Sequence, residues 1–157
     1  MGFGILAPVP ADLLKSALAT CEEKGRVAFG TNAGDIFRKA AQVYGQPFPI
    51  LIYPTIHYGD PDRVSAPGYA CFRGAYLRLA PANPNGRHPE ASIRPPTTIS
   101  GSNPDTPWQY FWEVESLKML PKAQHVAITT LTAEGQRKPL PKGYVPHGPL
   151  IVEAIFL

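Results

Sequence analysis

Two segments in the first third of the chain have the apolar spacing of a helix. Apolar side chains fall on one face of a helix in residues 12–24, and again in residues 33–44. A short strand at residues 26–29 separates them. Residue types that favour helix starts and ends flank both segments. These are Asp12 and Gly25 for the first helix, and Asn32 and Gly45 for the second.

The rest of the chain has the patterns of strands. Residues 48–53 are almost continuously apolar, and residues 109–117 are rich in aromatic side chains. Residues 68–80 form a longer strand, in which Gly74 predicts a bulge or a sharp bend. The remaining predicted strands are 126–131 and 150–157. Helices followed by a run of strands predict an α+β fold, with two N-terminal helices and a curled mixed β-sheet or small β-barrel of five to six strands.

Length and composition narrow the class of protein. A chain of 157 residues predicts a single domain spanning residues 1–157. Hydrophobic residues make up 44% and charged residues 17%, which excludes a disordered chain, a coiled coil and a collagen. Proline is abundant, with 19 residues, 12 of them within residues 47–107. The middle of the chain is therefore expected to be rich in loops.

The longest of these loops is predicted at residues 81–107. It carries Arg87, His88 and Arg94, a dense polar set for a chain with few charges. Its prolines restrict the backbone, so ordering it costs less entropy than ordering a glycine-rich loop. Ile93 and Ile99 are expected to anchor it to the core. We therefore expect an ordered loop that lines a ligand site and presents its two arginines at the surface.

Cysteine content and targeting signals favour the cytoplasm. Cys21 and Cys71 are the only cysteines and form no CxxC pair, so both are expected to be buried thiols in a reducing compartment. The first residues lack the basic start and apolar run of a signal peptide. No stretch approaches the ~18 apolar residues of a membrane span. The sequence therefore predicts a cytoplasmic protein with no membrane partner.

Motifs for catalysis or metal binding are not found. The four histidines form no HxH, HExxH or HxxxH pair, and no GxSxG occurs. Cys71 lies mid-strand, where burial is expected. Glu115 and Lys118 are three residues apart, which places them on opposite faces of a strand and does not fit a nuclease core. We therefore assign no catalytic residue, no metal ligand and no cofactor.

Aromatic and basic side chains give the candidate ligand site. Trp108 and Tyr110 lie at the end of the long loop, and their rings are of the kind that stack on bases. The net charge of +3 is compatible with a phosphate-bearing partner. Cations on nearby strands and loops complete the set. The candidate ligand-binding residues are Arg73, Arg78, Arg87, His88, Arg94, Trp108 and Tyr110.

Two segments resemble the PUA-like superfamily, which includes the PUA, ASCH, EVE and YTH modules. Residues 68–79 resemble the strand at which such barrels bend back on themselves. Residues 111–117, followed by Leu120 and Pro121, resemble the W-x-V…L-x-P segment. The ASCH signature and a YTH-type aromatic cage are absent, so no site residue of those families is transferred. The resemblance covers residues 46–131 and implies a small β-barrel that binds RNA or a modified base without catalysis.

These observations favour a small non-enzymatic module that binds RNA, single-stranded DNA or a nucleotide. One alternative is a small enzyme acting on a nucleotide or nucleic acid. Its polar residues would come from converging loops and would be His57, Asp60, Arg87, His88 and His147. A second alternative is a structural or interaction protein that forms a homodimer, because residues 150–157 are strongly apolar and would invite pairing if they formed an edge strand.

Overall fold

The computed structural model describes residues 2–55, 68–96, 107–142 and 148–154. The two helices are α1 (Ala11–Lys24) and α2 (Gly34–Tyr44). The strands are β1 (Gly2–Pro10), β2 (Val27–Thr31), β3 (Phe48–Thr55), β4 (Tyr69–Ala70), β5 (Phe72–Pro81), β6 (Tyr110–Met119), β7 (Val126–Ala127), β8 (Thr132–Ala133) and β9 (Leu150–Ala154). Among these residues, no helix is both long and apolar enough to cross a membrane.

The fold is α+β, as predicted, but the number of strands differs from the expectation. Seven strands form a mixed sheet in the order β2-β6-β5-β3-β1-β9-β8, and β4 pairs separately with β7. The β1–β3 pair is parallel and every other pair is antiparallel. The expected five to six strands are therefore too few. In the part of the chain that is described, the sheet is open, with β2 and β8 at its edges, and the expected barrel is not seen.

Strand β1 is the long element that the sequence patterns missed, and the two-residue β8 was also not predicted. Strand β1 lies inside the sheet, between β3 and β9. Its partner β9 pairs only with residues 2–6, whereas β3 pairs with residues 5–10. Among the described residues, Pro8 and Pro10 therefore lie beyond the part of β1 that pairs with β9, which is where a strand tolerates a residue without an N–H group.

The helix boundaries match the expectation closely, but the N-terminal caps do not. Neither helix has a side-chain cap. Asn32 instead accepts a hydrogen bond from the backbone N–H of Gln109 at 3.0 Å, which ties α2 to the start of β6. The C-terminal glycines are as predicted: Gly25 and Gly45 have positive φ values of 83° and 78°.

The two faces of the large sheet are covered differently. Both helices pack on one face, over a core that includes Phe37, Tyr76 and Trp112. The other face is covered in two separate places. A small cluster of Ala28, Ile93 and Phe111 lies under the long loop at the β2–β6 side, and a second cluster lies over β3, β1 and β9. The second cluster contains Leu6, Leu51, Tyr53, Ala70, Ile128, Leu131, Leu140 and Val152.

Two local details complete the comparison with the predicted strands. The ladder between β5 and β6 shifts register at Gly74, which confirms the predicted bulge. A Cβ atom on this residue would lie 2.3 Å from the Val114 Cγ2 atom, so the two strands approach too closely for a side chain there. The predicted strand at residues 126–131 is shorter than expected, because a 3₁₀ turn replaces it at Ile128–Thr130.

Candidate ligand groove and buried glutamate cluster

An open groove of about 750 Å³ lies at the end of the sheet where β2 and β5 finish and β6 begins. We call it the end groove. It is lined by Asn32, residues 81–86 and residues 107–110. The described part of the long loop therefore supplies much of the wall of this groove. Residues 97–106 of that loop, including Ile99, lie outside the described residues.

Trp108 is seated against the backbone of Gly30. A Cβ atom on Gly30 would lie 2.3–2.4 Å from three atoms of the indole ring, so the ring rests where any other residue would place its side chain. The backbone N–H of Trp108 donates a hydrogen bond to the Gly86 carbonyl at 3.0 Å. The ring is partly exposed and lines the end groove. Its position is thus fixed on one side by the sheet, while the groove remains accessible.

Tyr110 lies beside Trp108 in the groove and is held by α2. The Arg38 guanidinium lies over its ring, 4.4 Å from the centroid. Arg38 also forms an ion pair with Asp35 at 2.6 Å. The ring also packs against Gly34 of α2, where a Cβ atom would be 2.9 Å from Tyr110 Cδ2. A second aromatic ring therefore lines the groove, and a cation that is not itself a lining residue lies over this ring.

Amide side chains surround these rings. Asn32, Asn83, Asn85 and Gln109 all line the end groove. The Asn85 Oδ1 atom accepts the Arg87 N–H at 3.1 Å, and the Arg87 carbonyl accepts the Asn83 N–H at 2.8 Å. Arg87 thus closes the turn that forms the groove wall. An amide group offers both a donor and an acceptor, which is the pairing that base edges present.

A second set of polar residues surrounds Glu113, in the middle of β6. The Glu113 side chain is 1% exposed. Its carboxylate accepts hydrogen bonds from Arg26 Nε at 3.0 Å, Arg78 Nε at 3.0 Å and His88 Nε2 at 3.2 Å. Arg26 also reaches Glu90 at 2.9 Å. We call these five residues the Glu113 cluster.

The hydrogen bonds of the cluster determine the tautomer of His88 and favour an ionised Glu113 carboxylate. The Nδ1 atom of His88 accepts the Glu90 N–H at 2.8 Å, so Nε2 carries the hydrogen that is donated to Glu113. Burial alone would raise the pKa of Glu113, but hydrogen bonds from Arg78 and His88, together with the positive charge of Arg78, lower it overall. Glu113 is therefore an ionised carboxylate at neutral pH.

The Glu113 cluster holds the long loop against the sheet. His88 and Glu90 belong to the loop, whereas Arg78 and Glu113 belong to β5 and β6. Arg94 adds another attachment, because its Nη1 atom donates to the Ala28 carbonyl at 2.6 Å and its guanidinium lies 5.0 Å from the Phe111 ring centroid. The expected exposure of Arg94 is wrong, since this residue is 4% exposed.

The predicted ligand-binding residues are thus distributed over three places. Trp108 and Tyr110 line the end groove, and Arg87 closes its wall. His88 and Arg78 belong to the Glu113 cluster, and Arg94 lies beside it. Arg73 is elsewhere, in a different groove with Lys118. Sequence reasoning missed Glu113, Arg26 and Arg38, whose partners are distant in sequence or lie on another element.

The alternative of an enzyme rests on residues that are only partly described. His57, Asp60 and His147 lie outside the described residues. A histidine and a carboxylate do approach each other, as His88 and Glu113, but both side chains are 1% exposed and neither lines the end groove. Within the described ranges, no group of three or more His, Cys, Asp or Glu residues is placed to hold a metal ion. Cys21 and Cys71 are buried and form no disulfide bond.

Comparisons with known proteins add no constraint: no family model, curated protein or solved structure matches this chain.

Proposed function

We propose that this protein is a binding module that takes a nucleotide or a single-stranded nucleic acid into the end groove and performs no reaction on it. The observation that carries the proposal is the Trp108 ring, seated on Gly30 and partly exposed to the groove beside Tyr110. An aromatic ring with a fixed position is a surface on which a base stacks, and such stacking tolerates different bases.

The polar groups of the groove support the same class of ligand. The four amide side chains provide donors and acceptors for base edges. Arg38 is 43% exposed beside Tyr110 and offers a charge for a phosphate, although Asp35 shares it. Since the described residues that line the groove carry no charge, we expect stacking to contribute more to affinity than phosphate contacts do. The resemblance to PUA-like modules implies RNA, so RNA is the first probe.

A cytoplasmic location belongs to the same proposal. Cys21 and Cys71 are buried and form no disulfide bond. Thiols without a disulfide are usual where the environment is reducing. Nucleotides and RNA are also abundant there.

The test is binding of a fluorescently labelled single-stranded RNA oligomer at ~50 mM salt, followed by a salt titration. Trp108→Ala is expected to weaken binding roughly tenfold or more, because it removes the stacking surface. Tyr69→Ala is the matched control, since Tyr69 is an exposed aromatic residue, 41% exposed, on the separate two-stranded sheet. The control is expected to bind like the parent protein.

Three results would contradict the proposal. One is the absence of binding to RNA, single-stranded DNA and mononucleotides at this salt concentration. Another is equal binding by the parent protein and Trp108→Ala. The third is chemical change of a bound nucleotide, detected by chromatography after incubation, which would favour the enzyme alternative.

A further inference from the structure

Two amide side chains from different parts of the chain are anchored next to Trp108. Asn32 follows β2, and its Oδ1 atom accepts the backbone N–H of Gln109 at 3.0 Å. Asn85 precedes Gly86, whose carbonyl accepts the backbone N–H of Trp108 at 3.0 Å. Both asparagine side chains are exposed and line the end groove. Both amides are therefore available to a ligand that stacks on the indole ring.

Hydrogen bonds to the backbone fix which end of each amide is the oxygen. Asn32 Oδ1 accepts the Gln109 N–H, and Asn85 Oδ1 accepts the Arg87 N–H at 3.1 Å. A backbone N–H group can only donate, so the atom that faces it is the oxygen in both side chains, and turning the amide over would lose the bond. One lone pair of each oxygen is thus used within the protein. The NH₂ group is the part of each side chain that has hydrogens to give to a ligand.

Amide donors at fixed positions favour bases that have carbonyl oxygens. Guanine has a carbonyl oxygen at C6 and uracil has one at C4, whereas adenine has an amino group at the corresponding position. An amino group is itself a donor, so an NH₂ group of the protein that faces it has no acceptor and loses its hydrogen bonds to water. Sites that hydrogen-bond one group of a ligand reject analogues without that group for this reason.

We propose that Asn32 and Asn85 are specificity-determining residues of the end groove, and that they favour a base with a ring carbonyl, such as uracil or guanine, over adenine. This inference rests on the proposed function, because it concerns the base that stacks on Trp108. Stacking alone discriminates little between bases, since every base has a π-face. The two amides supply the selectivity that the aromatic ring lacks.

The test compares inosine 5′-monophosphate with adenosine 5′-monophosphate. Both are purine nucleotides with the same phosphate and nearly the same stacking area. The inosine base has a carbonyl at C6 and a hydrogen on N1, where adenine has an amino group and a bare nitrogen. Titration of the ¹⁵N-labelled protein, followed by NMR, gives both dissociation constants, and shifts at the amides of Gly86, Trp108 and Gln109 locate binding in the end groove. The parent protein is expected to bind the inosine nucleotide about tenfold more tightly.

Asn32→Asp and Asn85→Asp remove the two donors and keep the contacts that position them. In each variant one carboxylate oxygen still accepts the backbone N–H, while the other oxygen replaces the NH₂ group and can only accept. The added charge acts on two ligands with the same phosphate, so the ratio of their dissociation constants is the readout. This ratio is expected to fall about threefold or more in each variant and to reach about one when the two are combined.

Gln124→Glu is the matched control. It introduces the same charge at an exposed position beyond the far end of β6, away from residues 107–110. The control is expected to keep both the affinity and the ratio of the parent protein. Amide spectra without ligand show whether each variant is folded. Because the two asparagines are also replaced separately, a variant that fails to fold leaves the other to decide the outcome.

The outcomes separate this inference from the proposed function. Equal binding of the two nucleotides by the parent protein, or tighter binding of the adenosine nucleotide, overturns the inference and leaves the proposed function in place. An unchanged ratio in the folded Asp variants has the same meaning, and so does binding of single-stranded RNA without binding of either mononucleotide. If neither the nucleotides nor single-stranded RNA binds, or if the shifts lie only outside the end groove, the proposed function itself is contradicted and the inference falls with it.

Discussion

At residue 30 the lack of a side chain decides where an aromatic ring can lie. The Trp108 indole occupies the space next to Gly30, and three of its atoms are within 2.4 Å of the point where a Cβ would be. The ring and the glycine belong to different elements, so this contact also joins the start of β6 to β2. The position of the Trp108 ring in the end groove therefore depends on Gly30 having no side chain.

Gly30→Ala is expected to displace the Trp108 ring while leaving most of the sheet intact. Because a new methyl group cannot share the space of the ring, the fluorescence of the protein is expected to change and RNA affinity to fall. Gly148→Ala is the matched control, since a Cβ there meets nothing within 4 Å. Unchanged fluorescence and affinity in Gly30→Ala would show that the ring is not seated as described.

Glu113 gives a prediction about pH. Its pKa is lowered in the folded protein, so its stabilising contribution is present above the unfolded pKa of about 4.3 and is lost as the pH falls through the folded pKa. Glu113→Gln is expected to cost about 1–3 kcal/mol at pH 7, toward the lower end because Arg26 and Arg78 reach water. The cost is expected to shrink as the pH falls below about 4.3, where the carboxylate of the unfolded chain takes up a proton, and to disappear once the pH is below the lowered pKa of the folded protein.

Urea denaturation at pH 7 and at several values below pH 4 measures this difference. Glu115→Gln, two positions away on the same strand, is the control and is expected to stay within about 0.5 kcal/mol. A Glu113→Gln variant with the stability of the parent protein at pH 7 would contradict the role given to the cluster.

Among the elements, the long loop was correctly predicted to be anchored by Ile93, but Arg94 is buried where exposure was expected. Its described part, residues 82–96, is ordered against the sheet, and Ile93 is buried as expected. Arg94 is also buried, although surface exposure was expected. Its guanidinium donates a hydrogen bond to the carbonyl of Ala28, which belongs to the strand β2.

Arg94→Ala is therefore expected to destabilise the protein by about 1–3 kcal/mol, because it removes a buried charged hydrogen bond and leaves the Ala28 carbonyl without this donor. Arg137→Ala, at an exposed position after β8, is expected to change stability by less than about 0.5 kcal/mol. Thermal denaturation of both variants measures the difference, and equal melting temperatures would contradict the structural role of Arg94.

Local elements were predictable where a single periodic pattern determines them. The helices and the three long strands β3, β5 and β6 follow from spacing and from residue types, and the Gly74 bulge follows from one glycine. Strand β1 was not predictable in this way. Its two prolines fit inside the sheet because the described pairing with β9 ends before them, and the sequence pattern does not show where that pairing ends. The Glu113 cluster was equally hidden, since Arg26 and Glu113 are 87 residues apart in sequence.

For the molecule as a whole, the position of β9 bears on the homodimer alternative. The apolar strand lies between β1 and β8, with neighbours on both sides, so it needs no second chain to cover its edges. We expect light scattering to give the mass of one chain, 17.1 kDa. Twice that mass would mean that another surface, such as the exposed edge of β8 or the Met119 region, mediates association.

The same position of β9 has a consequence for the order in which the protein is made. Among the described elements of this sequence, β1 is synthesised before the others, and its neighbour β9 follows about 140 residues later. Until then, one backbone edge of β1 has no strand to pair with, although β3 has already been synthesised on its other side. Unpaired strand edges recruit other chains. A nascent chain that stalls before residue 150 therefore exposes an unpaired backbone edge of β1, a strand that is interior in the complete sheet. We expect such truncated products to depend on chaperones for solubility.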